Sequence, residues 1–289
     1  MQSKNTLHQR FQAGEFIVAP GAYDCICANA VQQAGFHALY MTGMGTSLSR
    51  LGLPDYGLAT MSEMVSNASA IASSIAVPVI ADADTGYGNE LNMVRTVHEY
   101  ERHGIAAIHI EDQVFPKRCG HLGQKQVVPA AEFVSKIHAA VNARSSEDFL
   151  IIARTDANAV HGFNDAVSRA NAALDMGADF ALVEAPETID QMEAVPRLVH
   201  GPCVLNVLVG GRSPLLPLRK IQEMGYRCVL LSDLLLNAAL GAYDRALQRT
   251  LAMHEVLHLD PTAPPSAIFS RFGAAAWDSV RADRMSRPE

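Results

Sequence analysis

The segment FPKRCGH, residues 115 to 121, sets one thiol between a basic pair and a histidine. A lone cysteine is by default a small core residue. Burying Lys117, Arg118 and His121 as a group is costly, so the segment predicts an exposed, electropositive loop carrying Cys119. Cationic neighbours in such a loop lower a thiol's pKa from its reference value of about 8.5 and make it reactive. A second constellation is DADTGYGN, where Asp82 and Asp84 stand two apart and, along a strand, aim the same way. Carboxylates pointed into one cavity repel unless a cation neutralises them. With Glu111 as a further oxygen donor the set suits Mg²⁺, or Mn²⁺ in its place, an ion that keeps several waters and takes its remaining ligands from substrate. The competing reading is that one aspartate caps the next helix, a role Asn89 is equally placed to fill.

These residues must be positioned by something regular. Eight apolar runs of strand length recur along the chain, at 15–24, 37–43, 77–84, 106–112, 149–156, 180–186, 203–208 and 228–233. Their continuous hydrophobicity is what strands covered on both faces require. Helical patterns lie between them, at 90–104, 130–143 and 164–178, and the first and third run into glycine. Eight alternating units with no dividing linker predict one (β/α)8 barrel over residues 1–289, with 260–289 as a C-terminal helical appendage. A doubly wound open sheet is the alternative, but no G-x-G-x-x-G follows the first strand.

In such a barrel the chemistry sits at the C-terminal ends of the strands. Those ends carry Asp82 and Asp84, Glu111 and Asp112, Arg154 and Asp156, Glu184, Asn206, and Ser232 and Asp233. Arg154, closing a buried strand, reads as a fork for a substrate carboxylate, with a structural salt bridge to Glu184 or Asp156 as the alternative. The long stretch from the fourth strand to Pro129 reads as a movable lid bearing Cys119.

Composition narrows the partners. A net charge of -7 without a basic run argues against nucleic acid. No stretch approaches the roughly 18 apolar residues of a membrane span. A soluble, cytoplasmic enzyme acting on a small dicarboxylate is expected, and the appendage predicts a homo-oligomer, dimer or tetramer. The five scattered cysteines support neither a disulfide framework nor a zinc site.

GLPD, DADTGYGN, IEDQ, KRCGH, IIARTDA and VEAP occur in this order, and with them the sequence resembles the isocitrate lyase and phosphoenolpyruvate mutase superfamily over nearly its whole length. KRCGH is similar to the lyase branch, whose cysteine acts as catalytic acid. The resemblance implies that Asp84, assisted through water by Asp82 and Glu111, holds Mg²⁺. It implies that Thr42, Gly43 and Met44 hold an α-carboxylate, that Arg154, Glu184 and Asn206 bind substrate, that Tyr40 is the base, and that Asp55 lies near the metal. Within KRCGH, Lys117 and His121 join Cys119 in catalysis, and Gly120 contacts substrate.

The implied reaction is Mg²⁺-dependent cleavage of a 2-hydroxydicarboxylate to a 2-oxo acid and a carboxylic acid. Methylisocitrate lyases of the family have Ser-Gly-Gly for Thr42-Gly43-Met44, and Arg-Pro-Asn-Lys where this chain has Leu-Gly-Gln-Lys, so an alkylmalate of the 2,3-dimethylmalate type fits better. Ser232 falls where the family's oxaloacetate hydrolases carry serine, which makes oxaloacetate hydrolysis, or decarboxylation, the alternative activity, and a serine packed in the barrel the plainer one. A Schiff-base aldolase using Lys117 or Lys125 is disfavoured because both lie on the lid, away from a buried strand end. A non-catalytic ligand-binding barrel is disfavoured by the intact set of Asp84, Glu111, Cys119 and Arg154.

Overall fold

The apolar runs become eight strands in the computed structural model, which describes residues 6–254 and 264–285. They are β1 (Ile17–Ala22), β2 (Leu39–Met41), β3 (Val79–Asp82), β4 (Ala107–Glu111), β5 (Leu150–Thr155), β6 (Phe180–Val183), β7 (Val204–Val207) and β8 (Cys228–Leu231). All pair in parallel in the order β6-β5-β4-β3-β2-β1-β8-β7, and a single bridge from Ala181 to Cys203 joins the two end strands. The result is a nearly closed (β/α)8 barrel.

Period-two alternation divides each strand between two cores. Ile108 and Ile110 of β4 and Ile151 and Ala153 of β5 face outward and pack with helix residues such as Phe133 and Ile137. The inward set, including Tyr40, Ile80, Ala107, Leu150, Ile152, Phe180, Leu182, Val204 and Leu230, fills the barrel's floor. Each fully buried large apolar side chain contributes about 1.5–3 kcal/mol. The same inward rows become polar two residues further on, at Asp82, His109, Arg154, Glu184, Asn206 and Ser232. A dry floor thus carries a charged mouth.

The helices predicted at 90–104, 130–143 and 164–178 span Glu90–Arg102, Ala130–Ala143 and Phe163–Asp175. Gly104 (φ +78°) and Gly177 (φ +99°) follow the first and third as left-handed stops. Asn89 caps the first, its side chain accepting from the Leu91 amide at 3.1 Å, so neither Asp82 nor Asp84 is spent on that helix.

The chain divides into two compact units, Met1–Asn237 and Ala238–Glu289. The barrel lies in the first. Residues 255–263, with the start of the proline-rich break, lie outside the described residues. Beyond them the sequence predicts one helix, whereas the described residues there form two, Pro265–Arg271 and Ala274–Met285, because Phe272 and Gly273 interrupt the pattern. Among the described residues no helix is long and apolar enough to cross a membrane.

Candidate active site

The strand tops and the loop after β4 enclose a narrow cleft. Of the residues to which the sequence reading gave a catalytic, substrate-binding or metal role, all but Asp84, Glu111 and Lys117 line it, and Leu208 joins them. The three exceptions lie buried beneath, tied to the lining by ion pairs.

One side of the cleft is built on β2, β3 and β4. Tyr40, 3% exposed, contacts His109 Nε2 at 2.6 Å and donates to Asp82 Oδ2 at 3.2 Å. Burial, then the Asp82 charge, pushes its hydroxyl well above the usual range, so the phenol keeps its proton. Burial likewise lowers His109. Asp82 also accepts from the amides of Gly43 (3.1 Å) and Asp84 (2.9 Å). Burial opposes its ionisation, yet His109, Lys117 and Arg154 together hold its carboxyl at about 2. Thr42 orders the next turn, its Oγ1 accepting from the Gly45 amide at 2.7 Å and leaving Met44 facing the cleft.

The other side is a charge ladder. Arg154 donates from Nε to Asp156 Oδ2 at 2.9 Å, and its Nη2 lies 3.2 Å from Glu111 Oε2 and 3.7 Å from Glu184 Oε1. The salt bridge read as the alternative for Arg154 is therefore present, and the guanidinium still lines the cleft. Glu184 accepts from Asn206 Nδ2 at 3.0 Å and lies 3.1 Å from His121 Nε2. Burial would raise its carboxyl, but Arg154 and His121 hold it far below the usual range. Ser232 Oγ donates to Asn206 Oδ1, which fixes the amide's orientation.

The loop after β4 corrects the sequence reading most. Lys117 is 3% exposed, not solvated: its Nζ lies 2.6 Å from Asp55 Oδ1 and 2.9 Å from Asp84 Oδ1. Burial would lower its pKa, but Asp84 and Asp55 raise it well above the ordinary value, so it is no amine nucleophile. Lys125 is buried too, 2.7 Å from Asp156 Oδ1. The Schiff-base reading thus fails for a different reason than exposure: carboxylates, invisible in one dimension, hold these cations. Cys119 lines the cleft half-buried, and burial raises its thiol instead of the neighbouring cations lowering it. A thiol that keeps its proton is an acid, not a nucleophile. Gly120 packs so tightly that a Cβ would lie 2.3 Å from Arg154 Nη2 and 2.6 Å from Glu184 Oε1.

The carboxylates of the proposed metal site also differ from expectation. β3 ends at Asp82, and Asp84 sits in the left-handed region (φ +46°), so the two do not share a strand face. Burial, with Asp82 and Asp55 adding to it against Lys117, raises Asp84 to about 6. Glu111 is fully buried with no hydrogen-bond partner on either oxygen among the described residues, and burial pushes its pKa well up. Oε2 has the Arg154 guanidinium 3.2 Å away as counter-charge, and a buried carboxylate with both oxygens still free of hydrogen bonds fits a further cation. Among the described residues no three acidic, histidine or cysteine side chains converge as a direct cage.

His109 is the residue that sequence reading passed over. The signal was present: it stands two before Glu111 on an inward-facing row.

Comparison with known proteins agrees with this architecture. Residues 5–251 match the family model described as phosphoenolpyruvate phosphomutase. A 2,3-dimethylmalate lyase of Eubacterium barkeri is 44% identical over 230 residues, 80% of each chain. An oxaloacetate acetylhydrolase solved with the inhibitor 3,3-difluorooxalacetate superposes with a TM-score of 0.90 at 38% identity, covering 95% of this chain and 94% of that one. A phosphonopyruvate hydrolase solved with oxalate and Mg²⁺ gives 0.86 at 31% identity, covering 96% of each. With the barrel, the ordered motifs and these matches in agreement, the chain belongs to the phosphoenolpyruvate phosphomutase family, in the PEP mutase/isocitrate lyase superfamily, as one of its carbon–carbon lyases.

Proposed function

We propose that the protein cleaves the C2–C3 bond of a small 2-hydroxydicarboxylate of the alkylmalate type, releasing a 2-oxo acid and a carboxylic acid, with Cys119 as proton donor. The observation that carries this reading is the Cys119 thiol lining a cleft beside the buried carboxylates Asp82, Asp84 and Glu111; burial, which raises the thiol's pKa, suits it to give a proton. Asp84, with Asp82 and Glu111 through water, would hold Mg²⁺. Bound there, the ion would supply positive charge that acidifies the substrate's 2-hydroxyl.

The chain's own groups do the rest. Arg154, braced by Asp156, and the turn after Thr42 hold the two carboxylates. Tyr40 relays the hydroxyl proton, passing its own phenol proton to His109 Nε2 as its oxygen accepts the substrate's. As C2 becomes a carbonyl, the electrons of the C2–C3 bond pass to C3, where the attached carboxylate spreads the charge. Cys119 Sγ–H then gives its proton to C3. The packed loop excludes water that would quench this carbanion.

The alkylmalate preference rests on the lining. Arg154 and His121 of the lining are both engaged by carboxylates, whereas Met44 and Leu208 offer apolar surface for an alkyl group. Oxaloacetate hydrolysis to oxalate and acetate is the second reading, supported by Ser232 in the lining with its hydroxyl on Asn206. Self-association through the second unit is part of the proposal, supported by the exposure of Leu247 (69%), Leu251 (75%) and Trp277 (73%).

A proton NMR time course with Mg²⁺ and separate samples of 2,3-dimethylmalate, 2-methylisocitrate and oxaloacetate tests the activity. Pyruvate with propionate is expected from the first. Acetate from oxaloacetate alone would put the second reading first, and pyruvate with succinate from the second substrate would displace the alkylmalate.

A further inference from the structure

The motif IEDQ ends in a residue to which the mechanism gives no task. Gln113 is 1% exposed, and its amide pairs with the backbone of Arg118 on both sides: Nε2 donates to the Arg118 carbonyl at 2.7 Å and Oε1 accepts from the Arg118 amide at 3.1 Å. Beyond the thiol, Lys125 (7% exposed) donates from Nζ to the Gly120 carbonyl and, at 2.7 Å, to Asp156 Oδ1. Asp156 supplies the counter-charge that lets an ammonium be buried there, and it also braces Arg154. The carbonyls immediately before and after Cys119 are thus each gripped by a buried side chain.

We propose that Gln113 and Lys125 are positioning residues that clamp the peptide on either side of Cys119 and hold its thiol over the cleft. The proposal rests on the reading of Cys119 as proton donor and adds what fixes the donor's place. Lys125 further ties the loop to the arginine of the cleft through Asp156, so thiol and Arg154 share one support.

Alkylation of the full chain by iodoacetamide, resolved by cysteine-containing peptide, tests it in Lys125→Met and Gln113→Leu. Cys119 is expected to label about tenfold faster in each variant, as loop release uncovers it. Half-buried Cys25 should keep its rate, and the buried Cys27, Cys203 and Cys228 should stay protected. Loss of the Lys125 cation alone would slow the thiol, so acceleration reports release. In turnover each variant should lower kcat about tenfold while KM moves far less, the mark of a misplaced reacting group. Unchanged Cys119 labelling in both variants, or acceleration shared equally by the buried cysteines, overturns the proposal. The labelling does not depend on what Cys119 does, so turnover surviving in Cys119→Ser would remove the donor reading and leave the clamp to be judged by its own rates.

Discussion

Lys117 Nζ lies 2.9 Å from Asp84 Oδ1, so the loop that carries the thiol also brings a cation into the carboxylate cluster. Thiol placement and cluster charge are therefore set by one segment of chain.

Asp84→Ala should abolish both Mg²⁺ binding and activity, the first read by calorimetry. Unchanged affinity would contradict the ligand assignment. The wild-type cluster should also show a proton competing with the ion. Burial, then Asp82 and Asp55, raise this carboxyl to about 6 against the pull of Lys117, so apparent affinity should fall below pH 6, by up to about tenfold per unit. The sign for stability follows the same way. A carboxyl raised by folding favours the metal-free fold below its unfolded pKa of about 3.9, and that contribution is lost as pH rises through about 6.

Cys119→Ser should retain product binding and lose turnover by about 10²-fold or more, because a hydroxyl is a far weaker acid than a thiol. Near-normal kcat would take the thiol out of the mechanism.

The rate of Cys119 alkylation should keep rising with pH through the range where an ordinary thiol levels off, because burial raises its pKa. A plateau near pH 7 would show instead that the cations around it prevail.

Gly120→Ala should cut activity by about 10²-fold, since its Cβ would lie 2.3 Å from Arg154 Nη2 and force the guanidinium or the thiol loop aside. The clash is with Arg154 and Glu184 at the strand ends, but the loop can yield where the strands cannot, so the thermal midpoint should shift by only a few degrees. A large loss of stability would mean that the loop is integral to the barrel's folding.

The barrel was legible because its strands are doubly covered and so read as unbroken apolar runs; β5, from Leu150 to Thr155, is one. The site was legible wherever a charged residue ends such a run, as Arg154 and Glu184 do. It was not legible where partners meet only in space. Lys117 and Lys125 look like solvated charges until Asp55, Asp84 and Asp156 are folded against them. Asp84 looks like a strand residue until the backbone turns left-handed beneath it. His109 lies in mid-strand among apolar neighbours, and Tyr40 and Asp82, met only in space, give it a polar context.

Gln113 and Val127 pair across the base of the thiol loop in an antiparallel bridge. The segment between them is accordingly a tether fastened at both ends. Cys119 stands six residues from one fastening, and six extended residues span at most about 20–22 Å. The thiol travels on a short leash: any opening is a swing about a fixed stem that parts Lys117 and Lys125 from their carboxylates while leaving the strand ladder intact, and residues 114–126 form a cassette whose exchange among relatives would change the acid without redrawing the barrel.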